Sequence, residues 1–392
     1  MGSKSFFLLM IGQGNNSAVM VLYIVALMHI IYEQSGSAFM MSMVPVVITF
    51  TRFLSGLLAP LLFTYFSLPR ILFFAQGLKG ILFICLFLMI FFMPGATVFF
   101  VISMIALLDG VADPASQSLL PRIVAKTELI KANSTASVIF ETVGVGCWAI
   151  GGILLVFVGA EGLLLFVIGF SMIATVAFWL MRHEVPSLYE TNESHWKKSM
   201  MIGWNVVLQT KWLKQVMLTT SLDAVAGVVW MAAAVYLFVE EVLQVSEAWW
   251  GWINASFFTG LIVTGFFLYK RAHILEKQTS RLLQIGFAGG AVVTAFFTLN
   301  TIPVVALVLS IGIGMCEQVR GVGLNTILQQ HIEAKKLPYV YAVQASLSTL
   351  SFGIGALLVG VVAEAFDIRI VYGLSALFLL LCFFSWTKIK VK

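Results

Sequence analysis

Eight charged side chains stand inside long apolar runs of this chain, and they are the residues able to do chemistry. They are Arg52, Lys79, Asp109, Asp113, Glu141, Asp223, Glu317 and Arg320. A charge held at the middle of a hydrocarbon layer costs about 2.5–3.5 kcal/mol on insertion scales. Each is therefore a candidate for function as well as for structure. A carboxylate away from water takes up a proton more readily, so Asp223 and Glu141 could carry protons or meet a cationic ligand. Asp223 could equally form a hydrogen bond that caps a helix break, and Glu141 could pair with Arg52 or Lys79. Arg52 is too far from Arg70 to share its loop and is expected to pair with an acid. Lys79 could reach an interface through its apolar stem. Either cation could also hold an anion. Arg320 follows Glu317 by three residues, which puts both on one face of a helix. Asp113 precedes Pro114 and lies nearer the end of its run.

These residues sit in a chain built for a bilayer. Of its 392 residues 60% are hydrophobic and 10% charged, against roughly 25% charged in soluble domains. One soluble core of this length could not hide that much apolar surface. About twelve segments reach the roughly 20 apolar residues that a spanning helix needs. They are expected near 6–32, 38–66, 71–93, 95–118, 133–158, 163–181, 215–239, 249–269, 282–300, 304–327, 340–364 and 370–386. The polar run Gly12–Ser17 is expected to break the first, Pro94-Gly95 to turn the chain after the third, and Pro121–Lys131 to form a loop. The first run is too long for a leader and lacks a small-residue exit, so it reads as a spanning helix. The net charge of +5 does not point to nucleic acid, because the basic residues fall in short turns. Arg70, Arg122, Lys126, Lys131, Arg182, Lys197, Lys198, Lys270, Arg271, Lys335 and Lys336 lie on alternate turns or in the central linker. That asymmetry expects both termini in the cytoplasm. Cys85, Cys147, Cys316 and Cys382 have no metal-ligand spacing and read as packing residues. Five scattered histidines give no metal site, and no G-x-x-x-x-G-K-[ST] loop for nucleotide hydrolysis is present.

The two halves of the sequence repeat one another. Asp109 and Glu317 are 208 residues apart, while Gly144, Gly146 and Gly151 return 209 residues later as Gly353, Gly355 and Gly360. Ala136-Ser137 returns as Ala345-Ser346 at the same spacing. Subtracting 208 from Asp223 gives Asn15, another polar position. A repeat of this length in an apolar chain points to two equivalent membrane halves. The expected division is 1–182, a linker over 183–214 with an amphipathic helix around Met200–Leu208 lying on the membrane surface, and 215–392. The six glycines are expected at helix interfaces, where they let helices approach and slide.

This layout, with Asp113-Pro-Ala, Leu120-Pro121, Leu129 and Ala132-Asn133, resembles the macrolide-efflux and siderophore-exporter branch of the major facilitator superfamily. Gly12-Gln13 and Gln34-Ser-Gly-Ser37 fit the same branch. The chain departs from the superfamily signature between the second and third helices. Thr64 stands at the aspartate that helps latch the outward-facing state, Pro60 at a glycine, and only Arg70 is kept. Cys147-Trp148 stands where the antiporter signature has a glycine-proline pair.

The resemblance implies an all-α integral membrane protein with twelve transmembrane helices in two pseudo-symmetric six-helix bundles. It implies no enzyme and no cofactor, but a monomeric secondary transporter in a bacterial inner membrane. The expected activity is proton-coupled export of a small amphipathic compound such as a drug, macrolide or siderophore. A lipid or lysolipid flippase, or a uniporter of the same fold, is the alternative. Asp223, Glu141, Asn15 and Arg52 are the expected proton-coupling or cavity residues. Asp109, Asp113, Glu317, Arg320 and Arg70 are the expected gating charges.

Overall fold

The computed structural model describes residues 3–89, 95–185, 196–230 and 232–389. Among these residues the regular structure is helical throughout. Pro94, the linker residues Pro186, Asn192 and His195, and Lys390 and Lys392 lie outside them.

Thirteen α-helices follow in order. They are α1 (Lys4–Ser35), α2 (Ala38–Tyr65), α3 (Leu68–Met89), α4 (Gly95–Ile123), α5 (Leu129–Met181), α6 (Trp196–Gln209), α7 (Lys211–Gly227), α8 (Ala232–Leu237), α9 (Ala248–Leu275), α10 (Thr279–Leu299), α11 (Pro303–His331), α12 (Leu337–Ala365) and α13 (Ile368–Lys388). Ten spans among the described residues are long and apolar enough to cross a membrane, and α7 with α8 and the π-turn after it makes a bent eleventh. One of the ten is α5, whose 53 residues would reach about 80 Å, more than twice a bilayer core. It is divided at Gly159, whose φ of 70° and ψ of 177° leave the helical region in a way that glycine alone tolerates easily. That position falls where the sequence expects a turn between the fifth and sixth segments.

Two expected boundaries differ. The polar run Gly12–Ser17 does not break α1, which stays helical from Lys4 to Ser35. Asn15 donates its side-chain amide back to the Ile11 carbonyl at 2.8 Å, and Gly12 sits against the Phe178 ring with no room for a Cβ. These residues thus serve packing within a helix. Likewise α4 continues through Pro114 and Pro121 to Ile123, so the loop expected from Pro121 is shorter.

The chain forms two compact units. The first holds Met1–Ala125, Ile139–Asn205 and Glu333–Ser346; the second holds Lys126–Val138, Val206–Ile332 and Leu347–Lys392. In the first unit, Val19, Leu22 and Leu27 of α1 pack with Ile48, Phe83, Ile102, Ile105 and the later α5 residues Leu163, Leu164 and Val167. The start of α6, up to Asn205, also belongs there. Its Ser199 and Gly203, four residues apart, are buried, and Gly203 lies against the Tyr339 carbonyl where a side chain would collide. In the second unit, α9 and α11 cross closely at Gly260 and Gly314. Each glycine faces the other helix's backbone, at Ile311 and Phe257 respectively. An aromatic cluster of Trp230, Phe238, Phe297 and Tyr372 fills one end of this unit, with ring centroids 4.5–5.6 Å apart.

Candidate functional site: two buried charge clusters

In the first unit, Asp109 and Asp113 lie one turn apart on α4 and so share a face. Asp109 meets Lys79 of α3 at 2.6 Å, and Lys79 also donates to the Asn16 side chain of α1. This pair is sealed, with side-chain exposures of 1% for Lys79 and 4% for Asp109. Asp113 meets the Arg52 guanidinium of α2 at 3.1 Å. The close approach of α2 to α4 depends on Gly110, where a Cβ would strike Ser55, and the Ser55 hydroxyl donates to the Leu107 carbonyl at 2.5 Å. Two cations thus face two carboxylates.

The second unit builds its cluster differently. Arg320 of α11 pairs with Glu317 on its own helix and reaches Asp223 of α7, its Nε 3.2 Å from the nearer carboxylate oxygen. That approach is off the line of a hydrogen bond, and Asp223 Oδ1 has no hydrogen-bond partner. The Arg320 side chain runs along a groove in α10 formed by Gly286 and Gly290. A Cβ on Gly290 would lie 2.6 Å from Nη1, and one on Gly286 2.8 Å from Cγ. Its guanidinium sits 5.6 Å from the Phe287 ring centroid, the geometry of a cation–π contact. Here one cation faces two carboxylates, and Glu317 is 43% and Asp223 20% exposed at the side chain.

The other expected site residues are distributed as follows. Asn15 bonds to its own helix, and its neighbour Asn16 joins the charge cluster. Glu141 is half-buried on α5 within the first unit. Arg70 is exposed at the start of α3. Of the six repeat glycines, a Cβ added at Gly151 would lie 3.3 Å from Leu22 and one at Gly355 3.0 Å from Val228. Gly144, Gly146, Gly353 and Gly360 face open space. Tight approaches fall at other glycines, among them Gly12, Gly56, Gly110, Gly203, Gly260, Gly265, Gly286, Gly290 and Gly314. The pair Gly286 and Gly290 carries a G-x-x-x-G spacing in the sequence, a signal the 208-residue repeat does not single out. Among the described residues no three His, Cys, Asp or Glu side chains are grouped to hold a metal ion.

Solved structures share this architecture across nearly its whole length. The crystal structure of a bacterial homologue of the iron transporter ferroportin in an outward-facing state matches at a TM-score of 0.78 and 12% identity, covering 98% of each chain. The fold is that of the major facilitator superfamily. The E. coli fucose:proton symporter matches at a TM-score of 0.76 and 12% identity, over 99% of this chain and 97% of that one. The human organic anion transporter MFSD10 matches at 0.77 and 11% identity over 98% and 99%. By sequence, the uncharacterized MFS-type transporters YfmI and YjbB of Bacillus subtilis are 23% and 25% identical. YfmI aligns over 100% of this chain and 98% of its own, and YjbB over 97% and 94%. No protein-family model matches the chain. Sequence relatives and structural neighbours together support a place among the major facilitator transporters, and those proteins are named as transporters and not as enzymes.

Proposed function

We propose that this protein is a secondary active transporter that exports a small amphipathic compound in exchange for protons. The observation that carries the reading is the unequal charge of the second cluster: one guanidinium, Arg320, faces two carboxylates, Asp223 and Glu317. An uncompensated carboxylate is costly inside a membrane, and a proton or a cationic substrate removes that cost. Competition between the two for one acid is the minimum device for antiport. Arg320 touches both acids, so it can favour one when the other is neutralised. Two solved neighbours of the same fold are named as proton symporters, for fucose and for xylose, which supports proton coupling as chemistry this architecture accommodates.

In this reading the Gly159 break makes α5 two spans, the bent α7–α8 pair is one, and the total becomes twelve. The halves are 1–182 and 215–392, joined by the linker 183–214, and basic turns place both termini in the cytoplasm of a bacterial cell. The macrolide-efflux and siderophore-exporter branch is the proposed affiliation, and the protein acts as a monomer.

The test uses purified protein in liposomes with a trapped pH dye. A proton gradient is imposed and macrolides, lipophilic cations, siderophores and lysolipids are added one by one. Proton movement triggered by one compound, and lost in Asp223→Asn or Glu317→Gln, is the expected result. Labelled compound that crosses with no proton movement, at equal rates in both variants, would replace antiport with a flippase or uniporter.

A further inference from the structure

Helix α9 buries one face inside the second unit, with Leu261, Thr264, Leu268 and Ala272. Its opposite face is open over the last turns. Val263, Phe266 and Phe267 are each 54% exposed, and Lys270, Arg271 and Ile274 are exposed beyond them. At about 100° per residue, Val263 and Lys270 point between the directions of Phe266 and Phe267. The two rings therefore flank a shallow apolar furrow with Val263 at its floor and Lys270 at its head.

The cations at this end are held in place and left without a counter-ion. Lys270 Nζ stands 4.4 Å over the Phe266 ring, and the Arg271 guanidinium 5.9 Å from the Phe267 centroid. These cation–π contacts fix each head above a ring four residues earlier and leave its outer side open. Neither cation is paired with a carboxylate among the described residues. The acid of the following turn, Glu276, is turned instead to the Leu129 N–H at 3.1 Å.

The level in the membrane follows from the other end of the helix. Trp252 is 63% exposed, and exposed tryptophan favours the membrane–water interface. Lys270 follows 18 residues later, about 27 Å along the axis, close to the roughly 30 Å of a hydrocarbon core. Trp252 at one headgroup layer puts Lys270 and Arg271 at the other, with the two phenylalanine rings among the first acyl carbons. The first unit has no counterpart, because Leu62 and Phe63 stand 208 residues before this pair. Basic residues at the next helix start, Arg70 in one unit and Arg281 in the other, already serve orientation. Two unpaired cations on the spanning helix itself go beyond that need.

We propose that this face of α9 is a binding site for one anionic phospholipid, its phosphate held by Lys270 and Arg271 and an acyl chain laid along Val263 between Phe266 and Phe267. Arginine offers a fork that matches phosphate oxygens, and lysine adds a point charge. A zwitterionic headgroup brings a cation of its own, which the two basic side chains repel, so the site prefers a net negative lipid. The lipid is a bound partner and not the cargo. The inference needs only that the chain spans a membrane, and it stands apart from proton coupling.

Native mass spectrometry of the full chain, titrated in detergent with phosphatidylglycerol or with phosphatidylcholine of the same acyl chains, tests this. The first phosphatidylglycerol should bind at least tenfold more tightly than the first phosphatidylcholine. A basic side chain near an anionic lipid strengthens binding about fivefold, so Lys270→Gln and Arg271→Gln should each weaken phosphatidylglycerol by about that factor and the pair by about twentyfold. Phosphatidylcholine binding should not change in these variants, whereas Phe267→Ala should weaken both lipids. Lys336→Gln removes a lysine already paired with Glu333 at 2.9 Å and should change neither. The single variants decide the matter if the pair folds poorly. Equal binding of the two lipids by the wild type, or an undiminished preference in both single variants, overturns the site. Displacement of the phosphatidylglycerol by inorganic phosphate would make it a site for a soluble anion and overturn it as well.

Discussion

The two charge clusters occupy repeat-related parts of the sequence and solve the same problem in opposite ways. Glu317 stands 208 residues after Asp109, and Phe287 stands 208 residues after Lys79. The first unit therefore brings a cation from α3 to the acid on α4. The second unit has a ring at that position and takes its cation from α11 itself. The α1 contribution is a neutral amide, Asn16, where α7 contributes a carboxylate, Asp223. Balanced charge allows Lys79 and Asp109 to be sealed from solvent. In the second cluster Arg320 stands between two acids, while the second pair of the first cluster, Arg52 and Asp113, is 24% and 38% exposed, close to the 20% of Asp223 and 43% of Glu317. On the proposed function, the sealed Lys79–Asp109 pair is structural and the cluster with one cation for two acids is the one that exchanges.

The largest effect expected from breaking this contrast is in the sealed pair. Lys79→Met leaves Asp109 buried without a counter-ion. Losing one partner of a buried ion pair costs about 3–5 kcal/mol. Thermal unfolding in detergent should show this loss, and Lys79→Met combined with Asp109→Leu should recover most of it. A single variant as stable as the wild type would contradict the structural assignment.

Next in size is a change that makes the second cluster resemble the first. Phe287→Lys restores the cation that Lys79 supplies in the first unit and balances both acids. The expected outcome is loss of proton movement in liposomes, with downhill substrate exchange kept. Placing that lysine costs about 2.5–3.5 kcal/mol if it stays unpaired and less if it pairs, so stability reports whether the pairing forms. Proton movement that persists undiminished would show that charge balance in this cluster is not what couples transport. A smaller effect is expected from Gly290→Ala. The added methyl group overlaps the Arg320 guanidinium, and overpacking of this kind costs about 1–3 kcal/mol. The displaced arginine should weaken coupling as well as stability, whereas Gly360→Ala, in open space, should do neither.

Much of this was legible in the sequence and the rest was hidden for a definite reason. Apolar run length announced the spans, and the 208-residue repeat marked Asp109 and Glu317. Partner choice was not readable. Whether Lys79 meets Asp109 or Glu141 depends on how helices are rotated against one another, and one residue changes direction by about 100° around a helix. That rotation separates Asn15, which bonds to its own backbone, from Asn16, which joins the cluster. The repeat glycines drew notice by recurring, yet at four of the six an added methyl group would meet nothing. Gly286 and Gly290 matter because an arginine lies in the groove they leave, and only the packed helices show that.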